Sequence, residues 1–307
     1  MRRLLQALLI ATGGLAAGCT IPGPWQRPPS PRPREAPPPV VSDLAVPSGA
    51  DETMRSGLRH LARALAAANQ LQTLEAQARM KAISPAEDFS LRFSAHLLFA
   101  RPDRLRLRAT KALGTEILDL ALVGQALDVW LPRERTFYRG SIADLRGEAV
   151  DFRPEAVVGH ALLPVQRFHR ASWEMRTDEE GHVLLRERIA GPHNRLTLDP
   201  EDGRLLLREV VDESGQVRTQ VAFDRYEPLP GLAGEPLFAR RLHMRFPQTG
   251  RELIVVFTDL APNPSVQASD FWLPVPEAAK AVRPLGPTGV PVRHAIDEDA
   301  ETTGKRP

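Results

Sequence analysis

From Phe89 to Phe99 the chain alternates without a break. Phe89, Leu91, Phe93, Ala95, Leu97 and Phe99 fall on one side, and Ser90, Arg92, Ser94 and His96 on the other. A period of two predicts a strand, roughly 36 Å long at about 3.3 Å per residue, which belongs in a large, curved antiparallel sheet. Residues 101–103 make a turn, and Leu105, Leu107 and Ala109 continue the same apolar face. Two further strands are predicted over 115–124 and 126–132, joined at Gly124-Gln125, with a short one over 133–141. The alternation resumes in "ASWEMRTD", "HVLLRERI", "NRLTLD", "RLLLREVVD", "QVRTQVAFDRYEP", "ARRLHMRFP" and "ELIVVFTDL". Turns such as "DEEGH", "DPEDGR", "DESGQ" and "PQTGR" separate many of these at the spacing of a meander.

Two stretches depart from this pattern. Leu58, Leu61, Ala62 and Leu65 follow helical spacing, Ala68 and Leu71 extend the same face, and Ser48 or Asp51 is placed to cap it. Residues 153–164, "RPEAVVGHALLP", read as a second helix started near Pro154 and stopped by Pro164. About ten or eleven strands and two helices make the class α+β, mostly β. One face of the sheet gathers Phe89, Leu91, Phe93, Leu97, Phe99, Leu105 and Leu107 from the early strands. Val217, Val221, Phe223, Leu242, Met244 and Phe246 join it from the late ones. Two short helices cover only part of such a face. Two outcomes stay open: a hydrophobic cavity, or a concavity filled by helices and loops.

The ends of the chain differ from its middle. The first 18 residues hold Arg2 and Arg3, an apolar run from Leu4 to Ala17 and small residues before Cys19, the pattern of a secretory signal peptide. "LAAGC" resembles the lipobox of bacterial lipoproteins, which implies that Cys19, the single cysteine, is acylated after cleavage. Thr20 in place of aspartate then implies export to the outer membrane. Residues 19–50 follow as a proline-rich linker that spans at most about 100 Å in polyproline II form. Residues 51–282 are expected to fold as one domain, and 283–307 to be a disordered tail. Removing the signal peptide takes the net charge of +2 to zero. Nothing in the charge pattern resembles a nucleic-acid-binding surface, because arginines are spread among carboxylates as on a solvated face.

The order helix, long strands, central helix, further strands and a closing "FWLPVP" resembles the LolA/LolB family of lipoprotein carriers and outer-membrane receptors. Three stretches carry the likeness: "LRLRATKALGTEILDL", "EAVVGHALLPV" and "FWLPVP". The resemblance implies an incomplete antiparallel β-barrel closed by helices, with an apolar concave face that accepts acyl chains. It also implies that the turn at Leu113 and Gly114 carries an apolar tip toward the membrane. A leucine tucked under the rim is the other reading of Leu113.

Catalytic patterns are missing from the sequence: there is no G-x-S-x-G elbow, H-E-x-x-H, P-loop or dinucleotide glycine run. The histidines show no metal-ligand spacing, and His96 and His243 are expected to be solvated. Glu187, Glu209 and Asp224 alternate with arginines, as in cross-strand charge pairs. No metal or cofactor is expected. The expected function is therefore non-enzymatic: a monomeric, lipid-anchored outer-membrane protein facing the periplasm. It would bind acyl chains of lipoproteins or lipids for transfer or insertion, with a periplasmic carrier as a candidate partner. The alternative is a structural or sensory lipoprotein that binds a protein partner with the same fold.

Overall fold

The computed structural model describes residues 70–111, 114–141, 173–188 and 191–285, together with Glu52, Arg55, Ser56, Gly57, Arg59 and Ala62. The expected signal peptide, Cys19, the expected linker, Leu58, Leu61, Leu65, Ala68, Leu113, the helix expected over 153–164 and residues 286–307 lie outside these. Gly57, Ala62, Gln70 and the other described residues between 52 and 62 are helical, in the stretch where helical spacing predicts a helix.

Fourteen strands form one sheet in the order β14-β6-β5-β4-β3-β2-β1-β13-β12-β11-β10-β9-β8-β7. The first meander comprises β1 (Thr73–Ser84), β2 (Phe89–Ala100), β3 (Arg104–Thr110), β4 (Glu116–Val123), β5 (Ala126–Leu131) and β6 (Thr136–Ser141). The second comprises β7 (Trp173–Thr177), β8 (Val183–Glu187), β9 (His193–Leu198), β10 (Leu205–Val211), β11 (Val217–Pro228), β12 (Leu237–Phe246) and β13 (Arg251–Pro262). The last strand of the second meander pairs with the first strand of the first, antiparallel, from Leu74 opposite Pro262 to Ile83 opposite Glu252. A final strand, β14 (Ala281–Pro284), lies parallel to β6. Among the described residues β14 and β7 are the two edges of the sheet and do not pair with each other.

The count exceeds the expected ten or eleven, and two of the strands, β1 and β14, carry a weak sequence signal. In β1, Ala76, Ala78 and Ala82 alternate with Glu75, Gln77, Arg79 and Lys81, and alanine and lysine favour helices over strands. Tertiary packing overrides that preference. Ala76, Ala78 and Ala82 stand opposite Leu97, Ala95 and Leu91 on β2, and opposite Leu260, Phe257 and Leu253 on β13. Small residues in the central strand make room for large ones on both sides. β14 is four residues long and includes Arg283 and Pro284, and Leu285 after it is buried. Ordered structure therefore continues three residues past the boundary expected at 282.

Candidate functional site

The alternating apolar residues of these strands form one cluster that runs across the sheet from Leu131 of β5 to Val183 of β8. The face built by Phe93, Leu97, Phe99, Leu105, Leu107, Val221, Phe223, Leu242, Met244 and Phe246 is buried throughout. Phe89 and Leu91 are partly buried against it, and Val217 is half-buried at a register shift opposite Val211. One face thus collects the residues that the alternation assigns to it. Gly57 marks a point where the N-terminal helical stretch meets that face. It is buried, and a Cβ there would come within 2.7 Å of Val183 Cγ1 and 3.3 Å of Met175 Sδ.

A polar inlay interrupts the apolar face in β8–β10. Glu187 follows Val183 and Leu185 on the inward side of β8 and is 2% exposed. Its Oε2 accepts hydrogen bonds from Asn194 N at 2.8 Å and Asn194 Nδ2 at 2.7 Å. Arg208 Nε, also buried, donates to Asn194 Oδ1 at 3.1 Å. The alternation with arginines predicts a cross-strand charge pair for Glu187, and the side chain does reach across to β9, from a buried position. The period of two places Glu187 inward, and the amide partner supplied by β9 makes that burial tolerable. Glu209 and Asp224 do lie on cross-strand contacts, to Gln220 at 3.2 Å and Arg241 at 3.4 Å.

The histidines on the polar face are engaged rather than simply solvated. His96 Nε2 meets Glu75 at 2.8 Å and His243 Nε2 meets Glu252 at 2.8 Å. In the β7–β8 turn, Asp178, Glu180 and His182 come together with ligand atoms within 4.8 Å of one another. His182 Nδ1 lies 3.0 Å from Asp178, whose other oxygen accepts from the backbone of Glu180 and His182. Sequence spacing does not single out these three. Their contacts account for one another as a turn.

The outward side of β3–β6 is covered by the segment after β13. Phe271 and Leu273 are buried, and Leu273 packs with Ala121, Trp130 and Phe137 in a second small core. Arg106 makes a bidentate pair with the buried Asp119, at 2.7 and 2.6 Å, and donates to the carbonyl of Trp272. Arg139 pairs in the same way with Asp128, at 2.8 and 2.9 Å, and its guanidinium lies over Phe137 and Trp272. Burial and the neighbouring Asp119 push the Glu116 carboxyl up. On the far half, the Ser214 hydroxyl and the backbone of Gln216 hold Asp212 down to about 2. Burial pushes the Tyr226 hydroxyl up, and it donates to Leu205 O at 2.5 Å.

The turn singled out in the sequence joins β3 to β4. Lys111 N donates to Thr115 O at 2.8 Å, and Gly114 N to Lys111 O at 3.2 Å. Gly114 is exposed with φ +73°, a backbone region open to glycine at no steric cost. No helix among the described residues is long and apolar enough to cross a membrane.

No family model matches the chain, and no curated protein matches its sequence. Solved structures do match. A domain described as that of an outer membrane lipoprotein-sorting protein from Vibrio parahaemolyticus is 17% identical over 71% of this chain and 96% of its own, with a TM-score of 0.51. A DUF1329 family protein from Desulfovibrio piger is 12% identical over 71% of this chain and 96% of its own, at 0.50. A LolA superfamily protein from Nitrosomonas europaea is 12% identical over 71% and 97%, at 0.48. The chain has the fold of the lipoprotein-sorting domain, and the resemblance to the LolA/LolB family read from its sequence holds at the level of fold.

Proposed function

We propose that this chain is a non-enzymatic acyl-chain-binding lipoprotein, anchored through Cys19 in the outer membrane and facing the periplasm. The observation that carries the reading is the cluster of buried apolar side chains on one sheet, which reaches over both meanders and is interrupted at Glu187, Asn194 and Arg208. A sorting domain of the same fold supports it. Burying an acyl chain from water gains about 0.8 kcal/mol per CH₂. The side chains of the face are already buried, so a chain that enters replaces an existing apolar cover. Its net gain is therefore smaller than that figure, as suits a cargo that must be handed to a membrane.

Protein purified without detergent is expected to carry co-eluting lipid by mass spectrometry and to bind an apolar dye that added lipid displaces. Repeated absence of both overturns the reading. The near-complete burial of the inner face also favours a second reading, a structural or sensory lipoprotein with a filled core. That protein would bind no dye and would yield a stable partner on cross-linking.

A further inference from the structure

On the outward face of the sheet several basic side chains are matched. Arg106, Arg108, Arg139, Arg241 and Arg245 each lie within 4.0 Å of a carboxylate. Arg79, Lys81 and Arg92 are among those that are not, as are Arg104, Arg186, Arg195 and Arg225. The burial alternation of β1 and β2 turns all three outward, and none has an ion pair or hydrogen bond among the described residues. Lys81 stands directly opposite Arg92, and Arg79 lies one outward position along β1, opposite Ser94. Like charges directly opposite each other across two strands cost stability, and Arg186 opposite Arg195 is a second such pair on the far half of the sheet.

Their surroundings keep the patch positive. Of the carboxylates on neighbouring outward positions, Glu75, Glu252 and Glu116 are engaged by His96, His243 and Arg108, and the exposed Asp259, opposite Gln77, is a single counter-charge without an ion pair among the described residues. On the other side of β1, Lys81 is level with Ile254 and Arg79 with Val256, both half-buried on the outward side of β13. Ile83, also half-buried, follows on β1. The turn after β3 lies at the same end of the sheet. Thr110 is opposite Ser94, two residues from Arg92, and the exposed Lys111 comes next. Four cations, three from the neighbouring strands β1 and β2 and Lys111 from the turn after β3, are thus set beside partly open aliphatic side chains.

We propose that Arg79, Lys81, Arg92 and Lys111 form a docking surface for an anionic phospholipid bilayer, which orients the domain with the β3–β4 turn toward the membrane. Charge complementarity selects the occupant: anionic headgroups supply many negative charges in a plane, and a sheet face presents these cations in a plane. Aliphatic neighbours between the cations suit the boundary between headgroups and acyl chains. The inference rests on the reading that the domain works beside a bilayer, and it does not require acyl cargo in the sheet.

The test uses the full chain with Cys19→Ser, so that binding is not dominated by the lipid anchor. Flotation compares vesicles of phosphatidylethanolamine with phosphatidylglycerol against vesicles of phosphatidylcholine alone. The protein is expected to float with the anionic vesicles, less so as salt rises. Arg79→Glu/Lys81→Glu/Arg92→Glu is expected to lower that binding by about a hundredfold or more, at about fivefold per cation removed. Arg133→Glu/Arg186→Glu/Arg225→Glu, the same charge change at exposed sites elsewhere, is expected to lower it far less. Equal loss in both triple variants, or wild-type binding in the first, overturns the proposal. So does wild-type protein that distributes equally between anionic and neutral vesicles, the result expected if the patch serves an acidic protein segment. Unchanged circular dichroism and melting in the variants exclude unfolding as the cause. Apolar-dye binding, measured in parallel, separates the two readings. Anionic binding without dye uptake refutes the acyl-binding function alone, and dye uptake without anionic preference refutes the docking surface alone.

Discussion

The two meanders solve the same problem in different ways. In β4 both faces are buried, at every position from Ile117 to Leu122, because the segment after β13 covers the outward side with Phe271 and Leu273. In β8–β10 the inward face is interrupted by Glu187, Asn194 and Arg208. The first arrangement gains its stability from area removed from water. The second depends on geometry, since each buried polar group must keep its partner. The first half should therefore tolerate exchanges of similar volume, whereas the second should tolerate only exchanges that preserve hydrogen bonding.

The largest effect is expected where the cover is removed. Phe271→Ala should cost about 3–5 kcal/mol of unfolding free energy in urea titration, with hydrogen exchange rising first in β4–β6. Uniform exchange across both halves would mean that the cover is not local in its action. Glu187→Ala should cost about 3 kcal/mol because it strands the Asn194 amide to which Arg208 donates, and Glu187→Gln, which keeps an acceptor, should cost less. Equal costs would show that volume, not hydrogen bonding, governs this half too.

Gly57→Val should cost about 1–3 kcal/mol by crowding Val183 and Met175, and it should increase apolar-dye uptake if the helical stretch is a displaceable cover. Loss of stability with no change in dye uptake would make the contact purely structural. Asp212 offers a smaller test confined to the far half. Its carboxyl is held down to about 2, against about 3.9 in an unfolded chain. The stability it contributes is present above about pH 4 and is lost as pH falls toward 2. In Asp212→Asn the melting temperature should depend less on pH across that window than in the wild type. Smallest in stability is Leu113→Glu, expected to change unfolding free energy by no more than about 0.5 kcal/mol while lowering transfer to vesicles. A loss of several kcal/mol would instead place that side chain under the rim.

Much of the fold is legible because a strand with one buried face writes its structure into the chain at a period of two. In β2, β3 and β11–β13 the inward residues follow from alternation alone, since Phe93, Leu107, Val221, Met244 and their neighbours are buried. β1 does not yield to it, because alanine between charged residues carries too little apolar signal, and its strand state depends on large partners from β2 and β13. The candidate site divides in the same way. The apolar face is legible, whereas alternation does not supply the partner of Glu187 and gives no sign of the contact at Gly57. The first partner lies on the next strand, seven residues on, and the second is Val183, far along the chain.

Local periodicity and turn chemistry are enough to say which residues turn inward, where the hairpins fall and that no familiar catalytic motif is present. They are not enough to join β13 to β1, to lay the segment around Phe271 over β4–β6, or to set Lys81 against Arg92, all of which emerge with the folded sheet. Strand order and cross-strand register depend on pairings between distant parts of the chain, where the free energy comes from complementary volumes and charges that no local window contains.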